Sequence, residues 1–393
     1  MASHHFLEGK KIIVAGAGMA GLAFATALRK HWNPALPFPC LRIYERDTKV
    51  TAVGREGFSL SLAGQDETGG LYALMQLGLL DKILPHVILG LDGPGCFRVW
   101  DANFATTLRI KLNPAKGLPS AGIRIARKDL RGVLIEAGEN DVVWDAVCLG
   151  AKKQENGKML VTIRKGAAAG AEEIVEEECD LLLCADGANS KLRASLRPDD
   201  KLQYCGAVQL GGLARFEDGL PEPVGENWGM TTSGTGRAPI TDRSSEEERR
   251  AVVEEGAKLG SMFSEPFPSI MRATDVDTVF AMPARDKQPF PHDLKGGPVV
   301  FLGDANHAVS PFAGYGASLA LKDGWDLAEQ ICKASTLAQA LQHYDKISIP
   351  RAQKSLDTAH GRIRDFHSTG IRFYFVKFMM TLAGFMFRLT GRG

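Results

Sequence analysis

Short apolar runs ending at glycine or acidic residues recur along the chain, and helical periodicity follows several of them. Ile12–Ala15 is apolar and rich in β-branched residues, as expected of a strand buried on both faces. Leu22–Lys30, rich in Ala and Leu, then reads as a helix. After a proline-rich loop over residues 32–40, Leu41–Asp47 (LRIYERD) supplies a second strand that ends in acids. Asp180–Ala185 and Pro298–Leu302 repeat the buried-strand pattern and run into Asp186-Gly187 and Gly303-Asp304. Strands alternating with helices in this way point to an α/β fold with a parallel sheet.

A second pattern is superimposed on the first. Gly54–Leu62 alternates like an edge strand, and Leu71–Leu80 reads as a helix. Cys96–Ile110 alternates around Phe97, Val99 and Trp100, which assigns it to a different, antiparallel sheet. Ile123–Glu136 is a strand entering a helix, with Arg124, Arg127 and Arg131 along it. Trp144–Leu149 and Met159–Arg164 read as strands around a turn at Gln154–Lys158. Glu172–Glu178 reads only as a solvated acidic approach to the next strand. From Tyr204 to Thr241 glycine content rises and helical periodicity disappears, so irregular β structure is expected there. Ser244–Leu259 opens with a serine cap and acids in its first turn, the signature of a surface helix. No internal repeat is present.

Composition narrows the class. At 393 residues, 45% hydrophobic and 24% charged, the chain reads as an ordinary globular protein large enough for two domains. A formal net charge of +1 gives no reason to expect nucleic acid. Seven scattered cysteines argue against a disulfide framework and for a reducing compartment. Cys179 and Cys184 flank a strand and read as core thiols; no metal-ligand spacing appears. The apolar N-terminus has no signal-peptide cleavage pattern, so a cytoplasmic location is expected.

The candidate chemistry begins at Gly16-Ala17-Gly18-Met19-Ala20-Gly21, between the first strand and the first helix. The first glycine permits the tight turn, the second lets a pyrophosphate approach the backbone, and the third lets helix and strand pack closely. The helix N-terminus offers free N–H groups and a partial positive charge to that anion. Glu45 lies 24 residues beyond Gly21, where a ribose-binding carboxylate belongs. These residues indicate a dinucleotide without saying which.

Three segments in order carry a resemblance: GAGMAG with Glu45, then CADGANSKLR (Cys184–Arg193), then GDANHAVSPFAGYGASLALKDG (Gly303–Gly324). Together they resemble the class A flavoprotein monooxygenases, the group of p-hydroxybenzoate hydroxylase, salicylate hydroxylase and the tetracycline-inactivating enzymes. The resemblance implies a Rossmann-like FAD-binding domain of the GR2 type, a β-sheet substrate domain and C-terminal helices. It implies FAD as cofactor and NAD(P)H and O₂ as co-substrates. Oxygen would pass through a flavin C4a-hydroperoxide to hydroxylate or epoxidise an aromatic or polycyclic small molecule, as in secondary metabolism. No side-chain nucleophile or triad is expected, because the flavin carries the chemistry. A flavin-dependent oxidase or cyclase on the same fold, and a non-catalytic flavoprotein serving as a binding module, are the alternatives.

The same resemblance assigns residues. Asp304 would hold the ribityl hydroxyls; Pro311, Gly314, Tyr315, Gly316 and Ala317 would open a helix aimed at the flavin pyrimidine edge. A helix N-terminus there stabilises the negative charge of reduced flavin. Asp186 and Gly187, continued by Ser190 and Arg193, belong to a motif implicated in both FAD and NAD(P)H binding. Arg127 would reach the FAD phosphates. Arg131, one helical turn on, reads as exposed, and Arg46 either lies over the adenine or is solvated. His307 is open between structural and chemical roles. The chain departs from the family at Ser318, where Asn is usual, and at Tyr315, where a smaller or amide residue is usual.

Pocket candidates are Phe58, Leu60, Phe97, Trp100, Trp228, Met230 and Phe312, with Phe312, Tyr315 and Met230 foremost. The long, strand-poor interval between Asp186 and Asp304 suggests a reduced substrate sheet. Expected boundaries are 1–75, 115–200 and 290–335 for the FAD-binding domain, 76–114 and 201–289 for the substrate domain, and 336–393 for the C-terminal helices. Gly370–Thr390 is dense in aromatics and Met but interrupted by Arg372, Lys377 and Arg388, and its uncharged run is too short to span a bilayer. It reads as a helix packed on the protein, with contact to a membrane surface or an apolar channel as the alternatives.

Overall fold

The computed structural model describes residues 4–54, 59–91, 96–168, 170–219, 221–222, 224, 228–231 and 245–390. Its centre is a parallel sheet ordered Val299–Phe301, Leu181–Cys184, Lys11–Ala15, Cys40–Tyr44 and Val142–Val143. Alternation along Lys11–Ala15 serves two cores at once. Ile12 and Val14 pack with Phe24, Leu28 and Leu134 beneath the helices, whereas Ile13 and Ala15 pack with Met159, Val161 and Ile163 on the other face. That other face is covered by an antiparallel sheet of Ala146–Lys153, Met159–Lys165 and Glu173–Cys179.

The acidic stretch is therefore itself a strand. Its residues alternate because Met159–Lys165 pairs along its whole length. Lys11 and Lys165 reach Glu177 at 2.7 and 3.0 Å, and the Tyr44 hydroxyl donates to it at 2.7 Å. Those donors hold the Glu177 carboxyl down at about 2 against the opposing effect of burial.

The sheet expected to be reduced is built on two long strands. Gln203–Ala214 pairs antiparallel with Thr274–Asp286, with register shifts between Tyr204 and Val208 and between Gly211 and Leu213. The shifts account for the broken periodicity in the sequence, since each one moves the next residues across the pleat. One face carries Val208, Leu210, Val279 and Ala281 against Val252 and Val253 of the Glu246–Leu259 helix. The other presents Ala207 and Ala284 to Phe312 and Ile363. Beside this pair, the run expected in an antiparallel sheet folds into two paired strands, Cys96–Trp100 and Thr106–Lys111, and Trp228–Thr231 joins Cys96–Trp100 in parallel.

Ser59–Ala63 lies at the edge of a further sheet, against Gly122–Ala126. The Glu246–Leu259 helix begins with a capping box between Ser245 and Glu248. Leu337–Phe366 starts at a Thr336 cap, and Gly370–Leu389 closes the described chain.

Candidate functional site

Three neighbouring strands end level with one another. Ala15 is in register with Cys184, and Cys184 with Phe301, so the turns that follow them leave the sheet along one carboxyl edge. A ligand crossing that edge meets all three turns.

In the first turn Gly16 has φ of +102°, and a Cβ there would lie 2.5 Å from the Ala185 carbonyl oxygen. Only glycine fits, and the turn is thereby held against the second motif. At Gly18, which caps the Met19–His31 helix, an added Cβ would meet nothing within 4 Å. The glycine there is needed by nothing in the fold and leaves the helix N-terminus open to an approaching group. Met19, Ala20 and Gly21 form the buried start of that helix.

Glu45 is 5% exposed and grips the same turn. The Ala17 amide donates to one carboxylate oxygen at 2.8 Å and the Asp47 amide to the other at 3.1 Å. Arg131, expected at the surface, is 4% exposed. Its guanidinium lies 3.2 Å from Glu45 and 3.0 Å from Asp47 and donates to the Ala17 carbonyl at 3.3 Å. The Arg127–Gly138 helix starts at the sheet edge, so the residue one turn on faces inward to the glycine turn rather than outward. Arg46 is largely exposed, with Asp47 3.9 Å away.

In the second turn one oxygen of Asp186 accepts from the Lys191 amide at 2.8 Å, and the other is buried with no partner among the described residues. Burial pushes this carboxyl above its usual range. Gly187 and Ser190 follow, the latter capping the Lys191–Leu196 helix. Arg193 is buried and donates to the Ala305 carbonyl at 3.0 Å and the Asp304 carbonyl at 3.4 Å. Its side chain ties the second motif to the third.

The third turn closes the group. A Cβ on Gly303 would sit 3.3 Å from that of Ala20, so Asp304 stands beside the first glycine turn. Burial pushes the Asp304 carboxyl up, opposed by the charges of His307, Arg127 and Arg193. Pro311–Ala313 makes one helical turn into Gly314 (φ +69°), whose approach is fixed by Arg362 donating to the Phe312 and Ala313 carbonyls at 3.1 and 2.8 Å. Tyr315 caps the Gly316–Lys333 helix, with Gly316 and Ala317 in its first turn. The Ser318 hydroxyl accepts from the Ala63 amide at 3.2 Å, tying the helix start to the Ser59–Ala63 strand.

His307 faces the interior. It is 1% exposed and 2.6 Å from the Asp323 carboxylate. Burial opposes protonation of the imidazole, but Asp323 outweighs it and holds His307 above its usual range. Asp323 is itself held well below the carboxylate range despite its burial, by His307 and by Arg351 at 2.8 Å. Asp323 also accepts from the Gly303 amide at 3.0 Å, so this charged group anchors the strand end that presents Asp304. Arg351 and Asp326, 2.6 Å apart, complete it. In the sequence the network shows only as its separate parts: His307 in the third motif, and Asp323 and Asp326 in a helix of mixed polarity.

Among the pocket candidates, Phe312 packs under Ala207, Ala284 and Ile363, with the His367 ring 5.5 Å away. Trp100 is buried in its strand and Leu60 half-buried. Phe58 lies outside the described residues, and Phe97, Trp228 and Met230 are placed only as strand residues. Gln209 was not singled out by any sequence pattern. Its side-chain oxygen is buried with no partner among the described residues. A cleft of about 690 Å³ runs past Cys205, Asp286, His360, Ile363 and His367.

Residues 271–359 match the family described as FAD binding domain. The monooxygenase cfoF of Aspergillus candidus is 39% identical over 397 residues, which cover 94% of each chain. This chain belongs to the FAD-dependent monooxygenases. A second relative, the aurachin C monooxygenase/isomerase of Stigmatella aurantiaca, is 25% identical over 88% of this chain and 86% of its own. The fold is that of Klebsiella pneumoniae HpxO, solved with FAD and uric acid, at a TM-score of 0.77 and 20% identity over 98% of this chain and 97% of that one. The protein is thus a flavoprotein oxidoreductase whose cofactor is FAD, with NAD(P)H and O₂ as the co-substrates typical of its family.

Proposed function

We propose that this monooxygenase holds FAD along the shared edge of the three turns and oxygenates an aromatic or polycyclic small molecule beside Phe312. The observation that carries this reading is the level ending of the three strands, with Gly18 open and one buried Asp186 oxygen unpartnered among the described residues. A cofactor supplies what the fold leaves unmet there. Gly16–Gly21 and the following helix N-terminus take the pyrophosphate, and Arg127 faces the phosphates. Glu45 accepts from the ribose hydroxyls while remaining fixed by Arg131. Asp304 accepts from the ribityl hydroxyls, and Asp186 adds a second buried acceptor. Pro311 and Gly314–Ala317 face the pyrimidine edge.

When bound, FAD would supply the oxygenation, with NAD(P)H as the source of two electrons, one atom of O₂ going to substrate and the other leaving as water. The protein's part is orientation, exclusion of water and fixed charge. The buried His307–Asp323–Arg351 group keeps Gly303 and Asp304 in place. Gln209, whose buried side-chain oxygen has no partner among the described residues, is an acceptor for a hydroxyl or N–H donor of the substrate. Phe312 closes the apolar wall.

The relatives' names are consistent with this substrate class. One names aurachin C, another is a urate hydroxylase and others are zeaxanthin epoxidases, so both hydroxylation and epoxidation of small molecules are named among the relatives. Peripheral contact with a membrane surface through Gly370–Leu389, inside the cell, belongs to the same proposal.

The direct test is the visible spectrum of the purified protein, followed by a screen of phenolic compounds for stimulated NADPH consumption with oxygen incorporation. A yellow protein whose NADPH use rises with one of these compounds supports the reading. A colourless protein that takes up no FAD refutes it, and peroxide formation without NADPH replaces it with an oxidase.

A further inference from the structure

The Gly370–Leu389 helix carries apolar side chains on two opposite faces. One face, formed by Phe373, Val376, Met380, Ala383, Gly384 and Phe387, is turned to the protein and is at least half-buried. Gly384 sets the depth of contact, since a Cβ there would lie 2.5 Å from the Thr107 carbonyl oxygen. The opposite face is a stripe at helical spacing running from Ile371, 90% exposed, through Phe378 and Leu382 to Leu389, 72% exposed. Among the described residues no other helix is both long and apolar enough to cross a membrane. An exposed apolar patch of this extent marks a surface that is covered in use.

Charge identifies what covers it. Between Gly370 and Leu389 there are three cations, Arg372, Lys377 and Arg388, and no acid. At 3.6 residues per turn, Lys377 and Arg388 fall along one flank of the stripe and Arg372 along the other. Arg372 lies 2.9 Å from Asp365 and Lys377 3.5 Å from Asp101, so both anchor the flanks to the body of the protein while staying exposed. A stripe of large apolar groups bordered by cations matches an anionic lipid surface, with the side chains in the acyl boundary and the cations at headgroup level. A spanning arrangement would carry the docked Thr106–Lys111 strand, an edge strand of its sheet, into the hydrocarbon, where lipid-exposed sheet edges do not occur.

We infer that Gly370–Leu389 is an in-plane anchor that lays its Ile371–Leu389 stripe into an anionic membrane surface while its Gly384 face stays docked on the enzyme. The inference rests on the membrane contact proposed above and adds its geometry and lipid preference. It is independent of the flavin chemistry.

The test is co-sedimentation of the full-length holoenzyme with vesicles of phosphatidylcholine plus phosphatidylserine, against phosphatidylcholine alone. Wild type is expected to pellet with the mixed vesicles and to be released by an alkaline carbonate wash. The variant Ile371→Ser/Phe378→Ser/Leu382→Ser changes only exposed positions and should bind on the order of a hundredfold more weakly, with its flavin spectrum unchanged. Lys377→Gln/Arg388→Gln should lose the preference for the anionic vesicles. Equal binding to both lipid mixtures by wild type, or protein that resists carbonate, overturns the in-plane anionic anchor while leaving membrane contact standing. Absence of binding to any vesicle removes both. A wild-type dimer that the triple variant converts to monomer, without vesicle binding, assigns the stripe to a second copy instead.

Discussion

The guanidinium of Arg131 lies 3.2 Å from the carboxylate of Glu45, and both side chains are almost fully buried at the back of the first glycine turn. Glu45 therefore belongs to the fold before it belongs to a cofactor. Arg131 also faces Asp47 at 3.0 Å, so its removal strands two carboxylates in the interior. Arg131→Ala is expected to destabilise the protein by about 3–5 kcal/mol. Flavin should be lost with the turn. Calorimetric unfolding of apoprotein and holoprotein measures both effects; an apoprotein of unchanged stability would show that the contact is idle.

Gly16 and Gly18 differ in what they are for. An alanine at Gly16 meets the Ala185 carbonyl and a backbone at φ +102°, so Gly16→Ala should cost about 2 kcal/mol or more even without cofactor. An alanine at Gly18 meets nothing within 4 Å among the described residues, so Gly18→Ala should leave apoprotein stability within about 0.5 kcal/mol of wild type. Its cost should appear in FAD affinity, measured by titration of apoprotein. Should Gly18→Ala bind FAD normally, the pyrophosphate does not pass over that position.

Asp304 is the residue on which flavin retention is expected to depend most. Asp304→Ala should yield protein with little bound FAD, and Glu45→Ala should weaken binding without changing the products. Removing a hydrogen bond to a charged acceptor costs about 1.5–3 kcal/mol, which is roughly ten- to a hundredfold in affinity. Absorbance at the flavin band per mole of protein checks the first, and product analysis the second. Full occupancy in Asp304→Ala contradicts its assignment.

What the chain revealed before its structure follows the range of the interactions involved. Gly16 and Gly18 are legible because a strand–turn–helix imposes local residue requirements at fixed spacing, whereas Asp186, Asp304 and Gly314 stand out through the family resemblance, and the structure puts all five in turns along one sheet edge. The exposed position expected for Arg131 fails because its partners, Glu45 and Asp47, lie more than 80 residues away, where no periodicity reaches. The His307–Asp323–Arg351 group was hidden for the same reason, since only folding brings the Gly316–Lys333 and Leu337–Phe366 helices against the strand end. The Gln203–Ala214 strand was obscured by its own register shifts, which break the alternation that identifies a strand. Gln209 carries no signal because what distinguishes it, a buried side-chain oxygen with no partner among the described residues, is not displayed by a sequence.

The pairing of His307 with Asp323 sets an expected pH dependence. His307 is held above 6.5, so its stabilisation is complete below that pH and is lost as pH rises through its folded value. Asp323 is held below 3.8, so its share is complete above that pH and is lost only as pH falls through its folded value. The pair therefore contributes fully between about 3.8 and 6.5 and declines on the alkaline side. Thermal unfolding followed across pH should show His307→Gln with a lower melting temperature in that interval and a flatter alkaline decline than wild type. Because Asp323 also holds the Gly303 amide, the same variant should release FAD faster at acidic than at alkaline pH, relative to wild type. Parallel melting curves for the two proteins at every pH would mean that His307 is neutral in the folded state and that Arg351 alone balances Asp323.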